Sequence, residues 1–124
     1  MSALKNVSKI FDLDHGQTVT VGHNRTITRH HEMMQCRLHG HTVAHIRPMG
    51  SSGICRVMLD DCGYPTPTTR DAMSDFARAF GCTLSVSFAK GGMSVRFKDA
   101  AGTYQARTLD RGGVNGPFAL GRHV

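Results

Sequence analysis

From residue 25 onward the chain alternates between apolar and polar positions. Met34, Cys36 and Leu38 are separated by Gln35 and Arg37, with His39 following, the period of two of a half-buried strand. Gly40 interrupts this run. His41 to Arg47 then alternates again, with Thr42, Ala44 and Ile46 expected on one face and His41, Val43, His45 and Arg47 on the other. Pro48 to Gly53 reads as a loop by composition. Ile54 to Asp60 forms a third strand, with Cys55, Val57 and Leu59 opposite Ile54, Arg56, Met58 and Asp60. The following segment, 60–67, has two prolines and a glycine and is neither helix nor central strand.

The periodicity then changes. Ala72, Phe76 and Phe80 recur at helical spacing, joined by Met73, Ala77 and Ala79. Thr68 or Thr69 can supply the N-cap oxygen, Asp71 suits the positive end of the helix dipole, and Gly81 suits a left-handed terminus. A helix is predicted over 68–80. Beyond it, Leu84, Val86 and Phe88 and then Met93, Val95 and Phe97 define two strands joined by a Lys90-Gly91-Gly92 turn. Phe88 and Phe97 are both expected in the core. Leu4, Val7 and Phe11 suit one face of a short N-terminal helix or arm, followed by a strand at Thr18–Val21 and a turn at Gly22 and Asn24.

The C-terminal residues 100–124 are glycine-rich, with an edge strand expected at Tyr104–Leu109 and a flexible tail from Asp110. The chain therefore divides into an arm over 1–24, a core over 25–99 and a tail over 100–124. The order ββ(β)–α–ββ, with one amphipathic helix, implies an α+β fold: an antiparallel sheet with the helix on one face, in two layers. The other sheet face carries Ser, Arg, His and Lys and is either solvated or a binding surface.

Length and composition narrow the function classes. A chain of 124 residues is one domain. It is 40% hydrophobic and basic, so a disordered acidic tail is excluded, and no stretch approaches a membrane span or a signal-peptide h-region. A cytoplasmic location in the host cell follows as the expectation. Cys36, Cys55, Cys62 and Cys82 then read as free thiols, mostly small core residues. The net charge of +6 favours anionic partners, although the basic residues are scattered along the chain.

Two blocks carry a resemblance. One is Leu38-His39-Gly40-His41; the other runs Cys62-Gly63-Tyr64-Pro65-Thr66-Pro67-Thr68-Thr69-Arg70-Asp71. Together with the terminal hairpin they resemble a loose group of short phage-encoded proteins, over a little more than half the chain. Where those proteins carry a second basic residue and an Asn early in the helix, Ala72 and Ser74 stand here. The resemblance implies phage origin and an accessory role.

Candidate chemistry is sparse. Cys36, His39, His41 and His45 have metal-ligating side chains, but His41 and His45 on one strand would lie roughly 13 Å apart. Cys36, His39 and His41 are thus weak metal candidates, and no metal or cofactor is expected. A Cys–His pair such as Cys62 with His39 requires the fold to bring them together, so no catalytic residue is assigned. The helix start at Thr68, Thr69 and Arg70 serves as a cap or as an anion site. The binding candidates are Arg37, Arg47, Arg56, Arg70, Arg96, Lys98 and Tyr64, several of which could line one groove. With Tyr64 and Tyr104 the exposed rings, phosphate contacts are favoured over base stacking.

The expected function is inhibition or modulation of a host or anti-phage defence complex that handles nucleic acid. Direct, sequence-independent nucleic-acid binding is the alternative, and a metal-dependent or hydrolytic enzyme the second alternative.

Overall fold

In the computed structural model, residues 4–48, 53–89 and 92–122 are described. Most of the expected 48–53 loop and the Lys90-Gly91 part of the hairpin turn lie outside them. Among the described residues a short 3-10 helix, Val7–Asp12, precedes nine strands and one α-helix. The strands are β1 (Thr18–Gly22), β2 (Arg25–His30), β3 (Met33–Leu38), β4 (His41–Pro48), β5 (Ile54–Leu59), β6 (Leu84–Ala89), β7 (Gly92–Lys98), β8 (Tyr104–Leu109) and β9 (Asn115–Gly121). Helix α1 spans Pro67–Ala79.

The α+β class holds, with two antiparallel sheets in place of one. Strands β1-β2-β3-β4-β5-β9 form a six-stranded sheet, and the hairpin β6-β7 joins β8 in a separate three-stranded sheet. Helix α1 packs against β6, β4 and β3, and β7 meets β9. One continuous core joins the apolar faces of both sheets to the helical stripe Ala72, Met73, Phe76, Ala77 and Phe80.

The helix starts one residue earlier than its periodicity suggests. Thr66 is the N-cap: its side chain accepts from the Thr69 N–H at 3.2 Å, and Pro67 occupies the first turn. At the other end Gly81, at φ +77°, directs its N–H to Arg78 O while the Cys82 N–H reaches Ala77 O. This paired closure satisfies two orphan carbonyls and requires a residue at ease in the left-handed region.

Several local expectations are corrected. The stretch from Arg25 to Leu38 is a hairpin, turning at His31 with φ +57°. In β4, Val43 is an extra residue opposite the Cys36/Arg37 step, a β-bulge. It buries both Val43 and Ala44 and returns Thr42 to the Arg37 side, so Thr42 does not share a face with Ala44 and Ile46. At the N-terminus, Ile10 and Leu13 enter the core while Val7 and Phe11 stay exposed. A short 3-10 segment cannot present the stripe that α-helical spacing implies. Phe88 is 45% exposed at the end of β6. The expected tail contains β9, which pairs in register with β5, Cys55 opposite Leu120 and Val57 opposite Phe118.

Candidate binding surfaces

The six-stranded sheet buries one face beneath α1 and turns the other outward. Alternation places Cys36, Ile46 and Val57 inward. Arg37, His45, Arg47 and Arg56 therefore point outward. Arg47 and Arg56 are directly opposite each other on β4 and β5, and both are exposed. Arg47 also pairs with Glu32 at 2.6 Å. Arg37 is held by Gln35 at 2.8 Å and Thr42 at 3.4 Å. None of the nine strands contains an Asp or Glu; every carboxylate lies in a loop or helix.

The remaining basic candidates belong elsewhere. Arg96 and Lys98 are on the three-stranded sheet, where the Arg96 guanidinium lies 4.6 Å from the centre of the Tyr104 ring. Arg70, in the first turn of α1, stacks over Phe88 at 5.1 Å and bonds Asp71. The expected cations thus separate into Arg37, Arg47 and Arg56 on one sheet, Arg96 and Lys98 on the other, and Arg70 on the helix.

The helix start has little capacity to cradle an anion. Pro67 has no N–H, Thr66 Oγ1 takes the Thr69 donor, and the Arg70 N–H is bonded to Thr66 O. The capping alternative accounts for this segment.

The two sequence blocks meet in space. Leu38, His39, His41 and Val43 from the β3–β4 turn face Asp61, Cys62, Tyr64, Thr66, Thr68 and Thr69 across a cleft of about 410 Å³. The turn itself has two positive-φ residues, His39 at +52° and Gly40 at +80°, as a tight two-residue hairpin demands. Tyr64 rests against His41, ring centres 5.3 Å apart. The cleft therefore does unite Cys62 with His39 and His41. Its thiol, however, donates to Thr42 O at 3.3 Å, and burial, then Asp60 and Asp61, push its pKa up. A thiol held protonated is a poor nucleophile.

Cys36 does not join these histidines: it is fully buried on the inner face, where burial pushes its pKa up strongly. Among the described residues no group of three His, Cys, Asp or Glu is arranged to hold a metal, and no helix is long and apolar enough to cross a membrane. All four cysteines are free, three of them buried and Cys62 half-buried.

Two sites escaped the sequence reading. His15, His30 and His31 cluster with ring centres 4.2 to 5.1 Å apart, beside Arg29, Glu32 and Arg47. The His31 N–H donates to His15 Nδ1 at 3.0 Å. His15 lies in a loop without periodicity, so its sequence carries no signal for this contact. The other is Asp61, whose Oδ1 accepts from both Gly63 and Gly112 at 2.8 Å and ties two distant loops together.

No protein-family model, curated protein or solved structure matches this chain.

Proposed function

We propose that this protein is a small phage accessory protein that acts by binding, inhibiting or modulating a host or anti-phage defence complex that handles nucleic acid. The observation that carries this reading is the Arg47–Arg56 pair. Like charges directly opposite in a sheet are destabilising, yet here they are exposed together, with Glu32 from the β2–β3 turn paired to Arg47. Such a face suits an acidic surface. Bare single strands are less well served, because stacking platforms are scarce: Arg96 covers one face of Tyr104 and His41 adjoins Tyr64. The raised pKa of Cys62 favours binding over a Cys–His hydrolytic mechanism.

The test pairs two measurements. Crosslinking in infected cells should recover a defined complex with wild-type protein and lose it with the Arg47→Glu/Arg56→Glu variant. Purified protein should bind free duplex or single strands weakly at physiological salt. Tight binding to free nucleic acid that falls steeply with salt, with no protein partner recovered, would establish the direct nucleic-acid alternative instead.

A further inference from the structure

Three histidines gather at one end of the outward sheet face. His30 closes β2, His31 turns the chain toward β3, and His15 arrives from the loop before β1. All three are exposed, with ring centres 4.2 to 5.1 Å apart. The loop that brings His15 is fixed against β2: the Gly16 N–H donates to Arg29 O at 2.7 Å, and Arg29 Nη1 donates to Leu13 O at 2.6 Å. The rings share a hollow of about 520 Å³ with Arg29, Glu32 and Arg47. Glu32 supplies the carboxylate there, and Arg47 already engages it at 2.6 Å. The cluster is continuous with the paired arginines. His30 lies opposite Met33, Arg47 lies opposite Arg56, and the hollow joins the two pairs.

We infer that this histidine cluster extends the Arg47–Arg56 face and makes its docking to an acidic protein surface proton-linked, an inference that rests on the outer-face reading. Imidazole is the side chain that exchanges its proton near physiological pH. Imidazolium ions this close repel one another and the Arg29 and Arg47 guanidiniums. Because Glu32 is engaged by Arg47, the protein itself offers little compensating charge. Partner carboxylates set against the hollow supply it, so docking draws protons onto the rings. By linkage, protons tighten docking by the same factor. The rings differ in what proton uptake costs. His15 Nδ1 accepts the His31 backbone N–H at 3.0 Å, and a proton on that nitrogen displaces the donor. The His30 and His31 rings stand outside this bond, so they carry the linkage. His45 also titrates on the outward face; burial pushes its pKa down, opposed by Asp60 and reinforced by Arg37. The rings already occupy one another's faces, His15 and His31 stacking at 19°, which favours carboxylates over a stacked nucleic-acid base.

Calorimetric titration with a hexa-aspartate peptide tests it, since aspartate carboxylates stay ionised above about pH 5.5. Measurements at about pH 6.0 and about pH 7.5, in two buffers of different ionisation enthalpy, count the protons taken up. The wild-type protein should bind about fivefold more tightly at the lower pH and take up roughly one proton per peptide. His30→Gln combined with His31→Asn should keep the affinity at the higher pH and lose most of the gain. Asn suits the His31 φ of +57°, and the donor to His15 is a backbone N–H, so this variant retains the loop contact. His45→Gln should leave the gain intact, whereas Arg47→Glu/Arg56→Glu should abolish binding at both pH values. Peptide binding without a gain at low pH, or a gain that survives in the double histidine variant, would overturn the inference and leave the outer-face reading standing. Absence of peptide binding at either pH, or tighter binding of an oligothymidylate of equal charge, would overturn both.

Discussion

Replacing Asp75 with Ala should be among the most damaging single changes in this protein. Asp75 is 2% exposed on the buried side of α1, and its Oδ2 receives the Arg25 Nη1 of β2 at 2.7 Å. The Arg25 side chain is itself only 10% exposed. Arg78 reaches the other oxygen at 3.4 Å from a largely solvated position. Removing the carboxylate leaves a guanidinium desolvated and uncompensated, which costs about 3–5 kcal/mol. Against a total stability of about 5–15 kcal/mol for a natural domain, that is a third or more in most cases. The exposed Arg47–Glu32 pair provides the contrast: at 44% and 71% exposure, breaking it should cost at most about 1 kcal/mol. Urea unfolding would read both, with the slope unchanged if only the native state is affected. Arg25→Met together with Asp75→Leu removes both charges and fills the space with apolar groups. That double variant should recover most of the loss, because desolvation opposes the attraction within the intact pair. A loss below about 1 kcal/mol for Asp75→Ala, or a double variant that merely sums the two single losses, would refute the reasoning.

Three further outcomes follow from the same structure. Phe76→Ala should cost about 3–5 kcal/mol in chemical unfolding, since the ring is fully buried, and an unchanged unfolding midpoint would reject the packing. Thr66→Ala should lower stability by about 1 kcal/mol through loss of the cap while Thr68→Ala stays within about 0.5 kcal/mol, and the opposite order would return the cap to Thr68. Burial, opposed by Asp60 and reinforced by Arg37, holds the His45 pKa below its ordinary 6.5. Its contribution to stability is therefore present above pH 6.5 and is lost as pH falls through the lower folded value, because the unfolded chain binds the proton more readily. Melting curves across that interval should be flatter for His45→Gln than for the wild type; identical slopes would place the acid sensitivity in another group.

Local chemistry made α1 and the β6–β7 hairpin legible. Ala72, Phe76 and Phe80 repeat within four-residue steps, Gly81 follows immediately, and Leu84 to Phe97 alternates about its turn. Each signal lies within one element, where backbone geometry alone dictates which side chains share a face. The inward sets of β3 and β5 were legible for the same reason. The cap is Thr66 instead of the expected Thr68 or Thr69 because several neighbouring threonines can serve, and the Pro67 ring, preset for the first helical position, selects among them. The Val43 bulge had no sequence signal, since it exists only relative to the register of β3.

Tertiary structure alone decided the long-range partners. β9 contains two glycines and a proline and has weak strand character, yet the β5 edge supplies a ladder that orders it. Arg25 and Asp75 lie 50 residues apart, and nothing near either one announces a buried charge. The outward arginines were identifiable as solvent-facing by alternation, but their division between two sheets depended on which strands pair. The cleft is the clearest case: Leu38-His39-Gly40-His41 and the segment beginning at Cys62 were conspicuous as separate blocks, and only the fold sets them face to face. Periodicity determines orientation within an element, whereas convergence depends on packing among elements distant in sequence, a property no local stretch of chain contains.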